Sequence, residues 1–423
     1  MPTDDPMTIN ERRKYLRLMQ KAYQTTADRA DRSRLLDTMA EVTGLNRKTL
    51  IRLMDSDLKR KRREKHRGQT YKRDVDQALH VIAESLDFIC AERLTPTLVT
   101  TAEQLAFHGE LTLTTTLREQ LSQISTATVR RRLARFRQDE TLHLPKAPAR
   151  RHRMDSLHDI PMRRIPWDER HAGHFEVDLV HHSGPTTHGE YVHSLQMIDV
   201  ATGWSERVAL LGRSQLTVED GFRRCLARLP FTVLEVHPDN GAEFLNASLR
   251  HFWRTQTPPP TLSRSRPYQK NDNRFVEQKN RSLVRVYLGN ARLDTVAQTH
   301  LLNQLYDRMW LYYNFFQPVF RLQEKIVVKN GLHHYTRKRF DEPRTPFERL
   351  CATDLLAAEV QQVLCQLREQ TNPRQLRTDI YTLLDELAAL PLAKPGKTES
   401  VHLTLLPAGV GNACGNLSDG DRS

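Results

Sequence analysis

The stretch HPDNGAEF (237–244) follows an apolar run, FTVLEV (231–236), and decides how the centre of this chain is expected to fold. The apolar run is typical of a β-strand, whereas Asp is a poor strand residue and Asn-Gly favours a turn. We therefore expect a strand to end at Asp239. Most such triplets are ordinary surface turns; the alternative is a carboxylate held at a strand tip to bind metal.

The composition favours a polyanionic partner. The chain has 423 residues and a net charge of +13, which points to nucleic acid. Its length suggests several domains of about 150 residues each. No apolar run approaches the roughly 18 residues of a spanning helix, and the N-terminus lacks the apolar core of a signal peptide, so no membrane partner is expected. Five scattered Cys without zinc-ligand spacing favour a reducing cytoplasmic location.

The N-terminal segment (1–67) predicts a helix-turn-helix region with a basic arm. In residues 33–54 a helix, a break at Gly44 and an N-cap at Asn46 precede a second helix. The run KRKRREKHR (59–67) follows, and it suits either a DNA-binding arm or a solvated linker.

A second helical block (74–140) ends in a similar pattern. Ser125 can cap its last helix, and Arg131 matches Arg52 of the first block at a constant offset of 79 residues. We predict that both blocks bind DNA and that Arg52 and Arg131 contact it. The alternative for each block is a helical hairpin with a basic solvent face.

A Pro- and Arg-rich linker (141–165) leads into a segment of alternating strands and helices (166–323). The pattern predicts strands at 174–182, 190–204, 205–211, 231–239 and 260–267 and helices at 217–229, 242–255 and 272–290. Three successive strands followed by strand–helix crossovers are the ribonuclease-H-like arrangement, a mixed five-stranded α/β sheet with helices. Its first and fourth strands are neighbours, so Asp178 and Asp239 are expected to converge.

The helix at 272–290 supplies a third acid. At about 100° per residue, Val276, Leu283 and Tyr287 form its apolar stripe, and Glu277 lies at the stripe's margin, within reach of the two Asp residues. Basic residues continue from there towards solvent, and we predict that they contact DNA; the alternative is a solvated helix face. These residues are Lys270, Arg274, Lys279, Arg281 and Arg285.

Three motifs carry a resemblance to a known family. The stretches EVDLV (176–180), HPDNGAEF and RPYQKNDNRFVEQKNRS (266–282) resemble the DDE catalytic core of bacterial insertion-sequence transposases and retroviral integrases. The resemblance covers 166–323, where YYNFFQPVFRL (312–322) is similar to the family's Tyr-Asn-x-x-x-Pro stretch. The segment TPFERL (345–350) is also typical of the family.

The resemblance implies a DNA transposase or integrase that binds element ends, cuts phosphodiesters and joins the freed strand to target DNA. Asp178, Asp239 and Glu277 would be the catalytic residues and the ligands of two Mg²⁺ (or Mn²⁺) ions, which suit two-metal phosphoryl transfer. It also implies a homo-oligomer on double-stranded DNA, associated with the nucleoid when bound. The alternatives are a sequence-specific DNA-binding protein with an inactive core and a ribonuclease-H-like nuclease.

Other side chains compete for these roles. Asp199 and Glu176 are alternative metal ligands, although Asp199 also suits a turn cap. Glu235 lies in the middle of a predicted strand and is expected to be either salt-bridged or exposed. The histidines of 171–193 suggest zinc, but no Cys accompanies them and their spacing fits no zinc pattern. The aromatic residues of 310–316 and Trp253 are more typical of a core than of base stacking.

The C-terminal region (324–393) is expected to be mostly helical after a basic segment (325–343), in which some β-structure is expected. Amphipathic helices are predicted at 346–370 and 373–390. The polar tail (394–423) is predicted to be disordered. The fold class is thus a multidomain chain with an all-α N-terminal region, a central α/β core and a mostly helical C-terminal region.

Overall fold

The chain divides into two compact units, Met1–Thr70 and Tyr71–Ser423. The computed structural model describes residues 7–56, 58, 71–139, 160–166, 169–239, 241, 243–266, 272–330, 333–353, 355–394, 396 and 399–406. The basic run 59–67, most of the proposed linker, Lys270 and the end of the tail lie outside these residues.

The described part of the first unit, residues 7–56 and 58, contains three helices, and local capping sets their ends. They are α1 (Ile9–Thr25), α2 (Arg29–Thr43) and α3 (Arg47–Met54). Gly44 ends α2 in the left-handed conformation with φ 66°, and the Asn46 side chain accepts the backbone N–H of Lys48 to begin α3. The expected break and cap are therefore present. Leu36, Met39 and Leu50 close the core between the helices.

The second unit begins with a block of five helices. They are α4 (Arg73–Ser85), α5 (Ala91–Leu94), α6 (Leu98–Phe107), α7 (Thr115–Gln123) and α8 (Thr126–Asp139). Ser125 accepts the N–H of Thr128 at 3.4 Å, so it caps α8 as predicted. The block packs on the rest of this unit rather than standing apart: Tyr312 Oη donates to the Ser85 carbonyl at 3.0 Å. The structure thus joins in one unit what the sequence analysis divided into several segments.

A mixed five-stranded sheet lies at the centre of this unit. Its strands are β1 (His174–His181), β2 (Val192–Asp199), β3 (Ser205–Leu211), β4 (Glu235–Pro238) and β5 (Thr261–Leu262), in the order β3-β2-β1-β4-β5. The first three strands pair antiparallel, and β1–β4 and β4–β5 pair parallel. This is the predicted ribonuclease-H-like arrangement, and the fold class is confirmed.

Two crossover helices connect the parallel strands, α9 (Gln215–Arg228) and α10 (Ala247–Arg254). β4 is shorter than the predicted 231–239, and β5 is shorter than 260–267. The predicted helix at 242–255 begins only at Ala247. The side chain of Asn246 caps it there by accepting the N–H of Leu249 at 2.9 Å.

The predicted helix at 272–290 contains a π-helical segment. It runs as α11 (Arg274–Lys279), the π segment (Asn280–Arg285) and α12 (Val286–Leu288), and Gly289 ends it. A π turn takes more residues than an α turn, so it rotates everything that follows relative to a regular helical wheel. This segment determines which side chains face the site.

The remaining elements cover the sheet and extend beyond it. They are α13 (Val296–Leu311), a π segment (Tyr312–Phe316), the hairpin β6 (Leu322–Asn330) and β7 (His333–Phe340), α14 (Pro346–Cys351), α15 (Ala358–Gln370) and α16 (Pro373–Ala389). The β-structure expected within 325–343 is confirmed, whereas the single helix predicted at 346–370 is two helices. None of the helices in the described ranges is both long and apolar enough to cross a membrane.

The prediction of disorder from residue 394 onward is wrong for residues 399–406. This segment includes a short 3-10 helix, Val401–Thr404. Glu399 accepts the N–H of Val296 at 3.1 Å, and Leu406 donates to Asp220 at 3.0 Å. These contacts attach the segment to the N-terminus of α13 and to α9.

Candidate active site

Asp178 within β1 and Asp239 just after β4 follow paired residues of two adjacent parallel strands. Val177 of β1 is in register with Pro238 of β4, and each is followed by one of the two acids. Asp178 accepts the N–H of Leu179 at 2.8 Å, and Asp239 accepts the N–H of Gly241 at 2.8 Å. The parallel pairing therefore directs both carboxylates to the same edge of the sheet.

Glu277 belongs to the same electrostatic cluster. It lies in the first turn of α11. Burial, together with the charges of Asp239 and Glu277, raises the pKa of Asp178 to about 8. Burial also raises the pKa of Asp239, as do the charges of Glu243 and Glu277, although the N–H of Gly241 lowers it. The three predicted acids thus repel one another, which is the electrostatic condition that a bound cation relieves.

The donor chemistry fits a hard divalent cation. Carboxylate oxygens are the ligands that Mg²⁺ and Mn²⁺ prefer. Beside them the amide oxygen of Asn280 is buried without a hydrogen-bond partner. Within the described ranges, no three His, Cys, Asp or Glu side chains are already arranged to hold a metal ion. Binding would therefore require the carboxylates to move closer, and a cation that neutralises their repulsion would favour this movement.

Asn280 is a site residue that the sequence analysis missed. Its amide nitrogen donates to Asp178 at 2.6 Å and so orients this carboxylate. It follows Glu277 by three residues, which places both on one side of a helix. That spacing is the signal by which the sequence could have identified it.

Glu176, considered above as an alternative metal ligand, instead holds the helix that carries Glu277. Its carboxylate accepts the N–H groups of Phe275 at 2.7 Å and Val276 at 2.9 Å. These are first-turn donors that the helix itself leaves without acceptors. Burial raises the pKa of Glu176 to about 7, although these N–H groups and Arg274 oppose the shift.

The other two candidate acids have structural roles, as their local patterns suggested. Asp199 accepts the N–H of Thr202 at 2.7 Å and the N–H of Gly173 at 2.8 Å, which confirms the turn cap. Glu235 accepts from Arg163 Nε at 2.7 Å, which confirms the salt bridge. Both carboxylates are therefore occupied by neighbouring donors.

The described histidines and aromatic residues that were considered for zinc binding and base stacking pack against neighbouring side chains. His182 Nε2 lies 2.7 Å from Ser194 Oγ, and the His181 and His193 rings meet edge to face with centroids 4.8 Å apart. Trp253 is buried, and the indole N–H of Trp310 donates to Glu206 at 2.6 Å. The aromatic residues thus contribute to the core, as expected.

The predicted row of cations along the helix that carries Glu277 is not one exposed face. Lys279 lies over the Tyr313 ring at 4.7 Å, and burial lowers its pKa to about 7. Arg285 donates to the His181 carbonyl at 2.8 Å, and the Arg274 guanidinium lies 4.5 Å from the Phe275 ring. Arg281 is exposed. The expectation of one solvent-facing row is wrong for Arg274, which packs on the Phe275 ring, and for Arg285, which lies at the end of the π segment and donates to the sheet.

The two helices with matching patterns expose matching arginines. Arg52 on α3 and Arg131 on α8 are both exposed. Leu50 and Val129, two residues before each, are fully buried, at 0% exposure. Residues that match in sequence at this offset are therefore also buried or exposed alike. DNA contact by either arginine stays a prediction.

Comparison with known proteins gives one curated relative and a solved structure with a weak likeness. No family model matches the chain. The crystal structure of the catalytic core domain of BIV integrase is 16% identical, and the match covers 43% of this chain and 95% of that one with a TM-score of 0.28. The uncharacterized protein y4rM of Sinorhizobium fredii is 34% identical over 324 residues, which are 76% of this chain and 90% of the relative. The chain therefore belongs to the same protein family as y4rM.

Proposed function

We propose that this protein is a metal-dependent DNA transposase or integrase of the DDE class. The observation that carries the proposal is the electrostatic cluster of Asp178, Asp239 and Glu277, contributed by two adjacent parallel strands and the helix α11. The fold supports it, since a mixed ribonuclease-H-like sheet brings acids from strands far apart in sequence to one edge. The net charge of +13 supports double-stranded DNA as the substrate.

The three acids would hold Mg²⁺ or Mn²⁺, two ions in all. Bound there, such ions stabilise the charge that develops on the attacking and leaving oxygens of a phosphodiester. Asn280 would keep the Asp178 carboxylate oriented through its hydrogen bond. Glu176 would keep Glu277 at the sheet edge by holding the first turn of α11. In this proposal the protein works as a homo-oligomer that binds element ends and target DNA.

Cleavage assays with the full chain test the proposal. A labelled duplex taken from the DNA that flanks the gene is incubated with and without Mg²⁺, and cutting and joining are followed on gels. We expect Asp178→Asn, Asp239→Asn and Glu277→Gln each to abolish cleavage while DNA affinity changes little. Glu243→Gln is the matched control, because Glu243 acts on Asp239 by charge and is not among the proposed ligands.

A second readout does not depend on activity. Mg²⁺ should raise the thermal midpoint of the parent protein and of Glu243→Gln but not of the Asp178→Asn, Asp239→Asn double variant. A ligand that binds the folded protein but not the unfolded chain stabilises the folded protein. A parent that binds DNA without cutting it under any divalent ion would favour a DNA-binding protein with an inactive core. Cutting confined to the RNA strand of a hybrid would favour a ribonuclease-H-like nuclease.

A further inference from the structure

The hairpin β6–β7 projects from the second unit as a two-stranded ribbon. Its strands pair antiparallel, with Ile326 opposite Arg337 and Val327 opposite Thr336. Residues 323–327 and 336–340, on both strands and both faces, are exposed. A two-stranded ribbon is marginally stable in water unless something packs on it. The ribbon is therefore a surface that suits a partner.

The charge on this ribbon is strongly positive. Lys325 lies directly opposite Lys338, a like-charged pair that destabilises a bare ribbon. Two further cations, Arg337 and Arg339, flank Lys338 on the same strand, while Glu324 is the one acid in the sequence of the two strands. The sequence of the two strands therefore carries far more positive than negative charge.

The basic surface continues from the ribbon to α11, the helix that carries Glu277. Burial lowers the pKa of Lys325, and the charges of Arg164, Arg274 and Lys338 lower it further. These cations are therefore near enough to influence one another. Arg274 is the first residue of α11, three residues before Glu277. A polyanion lying along the ribbon would be guided towards the carboxylate cluster.

We propose that the hairpin β6–β7 is a DNA-binding arm that grips the duplex on which the proposed activity acts. The proposal rests on that proposed function for the identity of the substrate. A two-stranded ribbon fits the major groove, which is about 12 Å wide. Lys325, Val327 and Lys338 share one face, and an exposed Val can contact a thymine methyl while the lysines reach phosphates.

The same charges argue against a second copy of this chain as the occupant. Edge strands of two ribbons can pair in principle, because their backbone groups are unpaired on the outer side. Such pairing would place the Lys and Arg residues of one copy against those of the other. Like charges brought opposite each other destabilise the pairing, whereas phosphates neutralise them.

Fluorescence anisotropy of the full chain on a labelled duplex, over a series of salt concentrations, tests the arm. The variant carries Lys325→Ala and Lys338→Ala together, the exposed cations of the face proposed to contact DNA. We expect the slope of log affinity against log salt to fall by about two, since each phosphate contact contributes roughly one. The control carries Arg213→Ala and Arg254→Ala, which removes the same charge from exposed positions outside the ribbon and should leave the slope nearly unchanged.

The outcomes separate this proposal from the proposed function. An unchanged salt slope in the ribbon variant overturns the arm, even if the protein still cleaves DNA with Mg²⁺. A lower slope in the ribbon variant, when the parent itself never cleaves, supports the proposed DNA-binding arm and contradicts the proposed transposase activity. A change in sedimentation without a change in DNA binding overturns the arm in favour of an interface between copies. Equal thermal midpoints for parent and variant establish that a lost slope is not lost folding.

Discussion

Glu176 accepts the backbone N–H of Val276 at 2.9 Å and so ties the first strand of the sheet to the helix that carries Glu277. The same carboxylate oxygen accepts the N–H of Phe275. A strand residue thereby sets the position of the helix relative to Asp178, two residues further along the strand. The separation of the proposed metal ligands depends on this contact.

Replacement of Glu176 should uncouple the strand from the helix. In Glu176→Ala two first-turn N–H groups lose their acceptor, and each buried orphan costs about 1–3 kcal/mol. We expect lower stability in urea unfolding and a loss of cleavage, with DNA affinity retained. Glu176→Gln keeps an acceptor oxygen and should preserve most of both properties. If Glu176→Ala cleaved like the parent, other contacts would have to position Glu277.

Asn280→Ala should impair catalysis by freeing the Asp178 carboxylate to rotate. Partners that orient metal ligands typically contribute about 10–100-fold to metal affinity or activity. We expect a loss in this range, partly recovered at higher Mg²⁺, in cleavage assays at increasing metal concentration. Ser282→Ala changes an exposed residue of the same π segment and serves as the control. A loss of equal size in the control would indicate that the segment is merely sensitive to substitution.

Arg52→Ala and Arg131→Ala should each weaken DNA binding through a lost phosphate contact. Both side chains are exposed at equivalent positions of similar helices. Each change should lower the slope of log affinity against log salt by about one, and the double variant by about two. Arg34, whose side chain is 80% exposed on α2, supplies the control Arg34→Ala. Salt slopes equal to the parent's would assign both arginines to a solvated face.

The pair His174 and Glu235 should make stability depend on pH. Burial would raise the pKa of Glu235, but donors at His174, Arg163 and Ser263 outweigh it and lower the pKa to about 2. The hydrogen bond to Glu235 in turn raises the pKa of His174 above its usual 6.5. Glu235 therefore stabilises the fold fully above its ordinary pKa of 4.5, and this contribution is lost as the pH falls towards 2. His174 stabilises the fold fully below pH 6.5, and this contribution is lost as the pH rises past its pKa in the folded protein.

Unfolding in urea at acidic, mildly acidic and alkaline pH measures this dependence. We expect Glu235→Gln to lose roughly 2–3 kcal/mol near neutral pH and less in acid. His174→Gln should lose stability mainly in mildly acidic solution. His171, whose side chain is 85% exposed, gives the control His171→Gln. A pH profile of Glu235→Gln parallel to the parent's would contradict the assignment.

We predict that Asp87 stabilises the packing of the helical block α4–α8 against the helix that carries Glu277 and Tyr287. It accepts from Tyr287 Oη at 2.7 Å and from Arg377 Nε at 2.6 Å, and its own φ is 54°. Asp87→Ala leaves a mostly buried Arg377 without this partner and places Ala in a left-handed conformation, so we expect a loss of about 3 kcal/mol. Asp87→Asn, which tolerates that conformation and still accepts hydrogen bonds, should lose less. Equal midpoints in thermal unfolding for both variants and the parent would contradict this role.

The sequence by itself determined the features that depend on neighbouring residues. The break at Gly44, the caps at Asn46 and Ser125, and the strand that ends before Asp239 all follow from local conformational preference. Local hydrogen bonds close within a few residues, so the residues that specify them lie in one short stretch. The order of strands and helices also followed from alternation, and with it the expected approach of Asp178 to Asp239.

The tertiary structure decided what depends on partners far apart in the chain. Glu176 meets Val276, which is 100 residues away, and Asn280 meets Asp178, which is 102 residues away. Arg285, which a regular helical wheel placed towards solvent, lies at the end of the π segment and donates to the His181 carbonyl, and Lys279 packs over the Tyr313 ring. Such outcomes depend on which donors, acceptors and apolar surfaces the packed fold brings together, because buried polar groups must find partners wherever the chain supplies them.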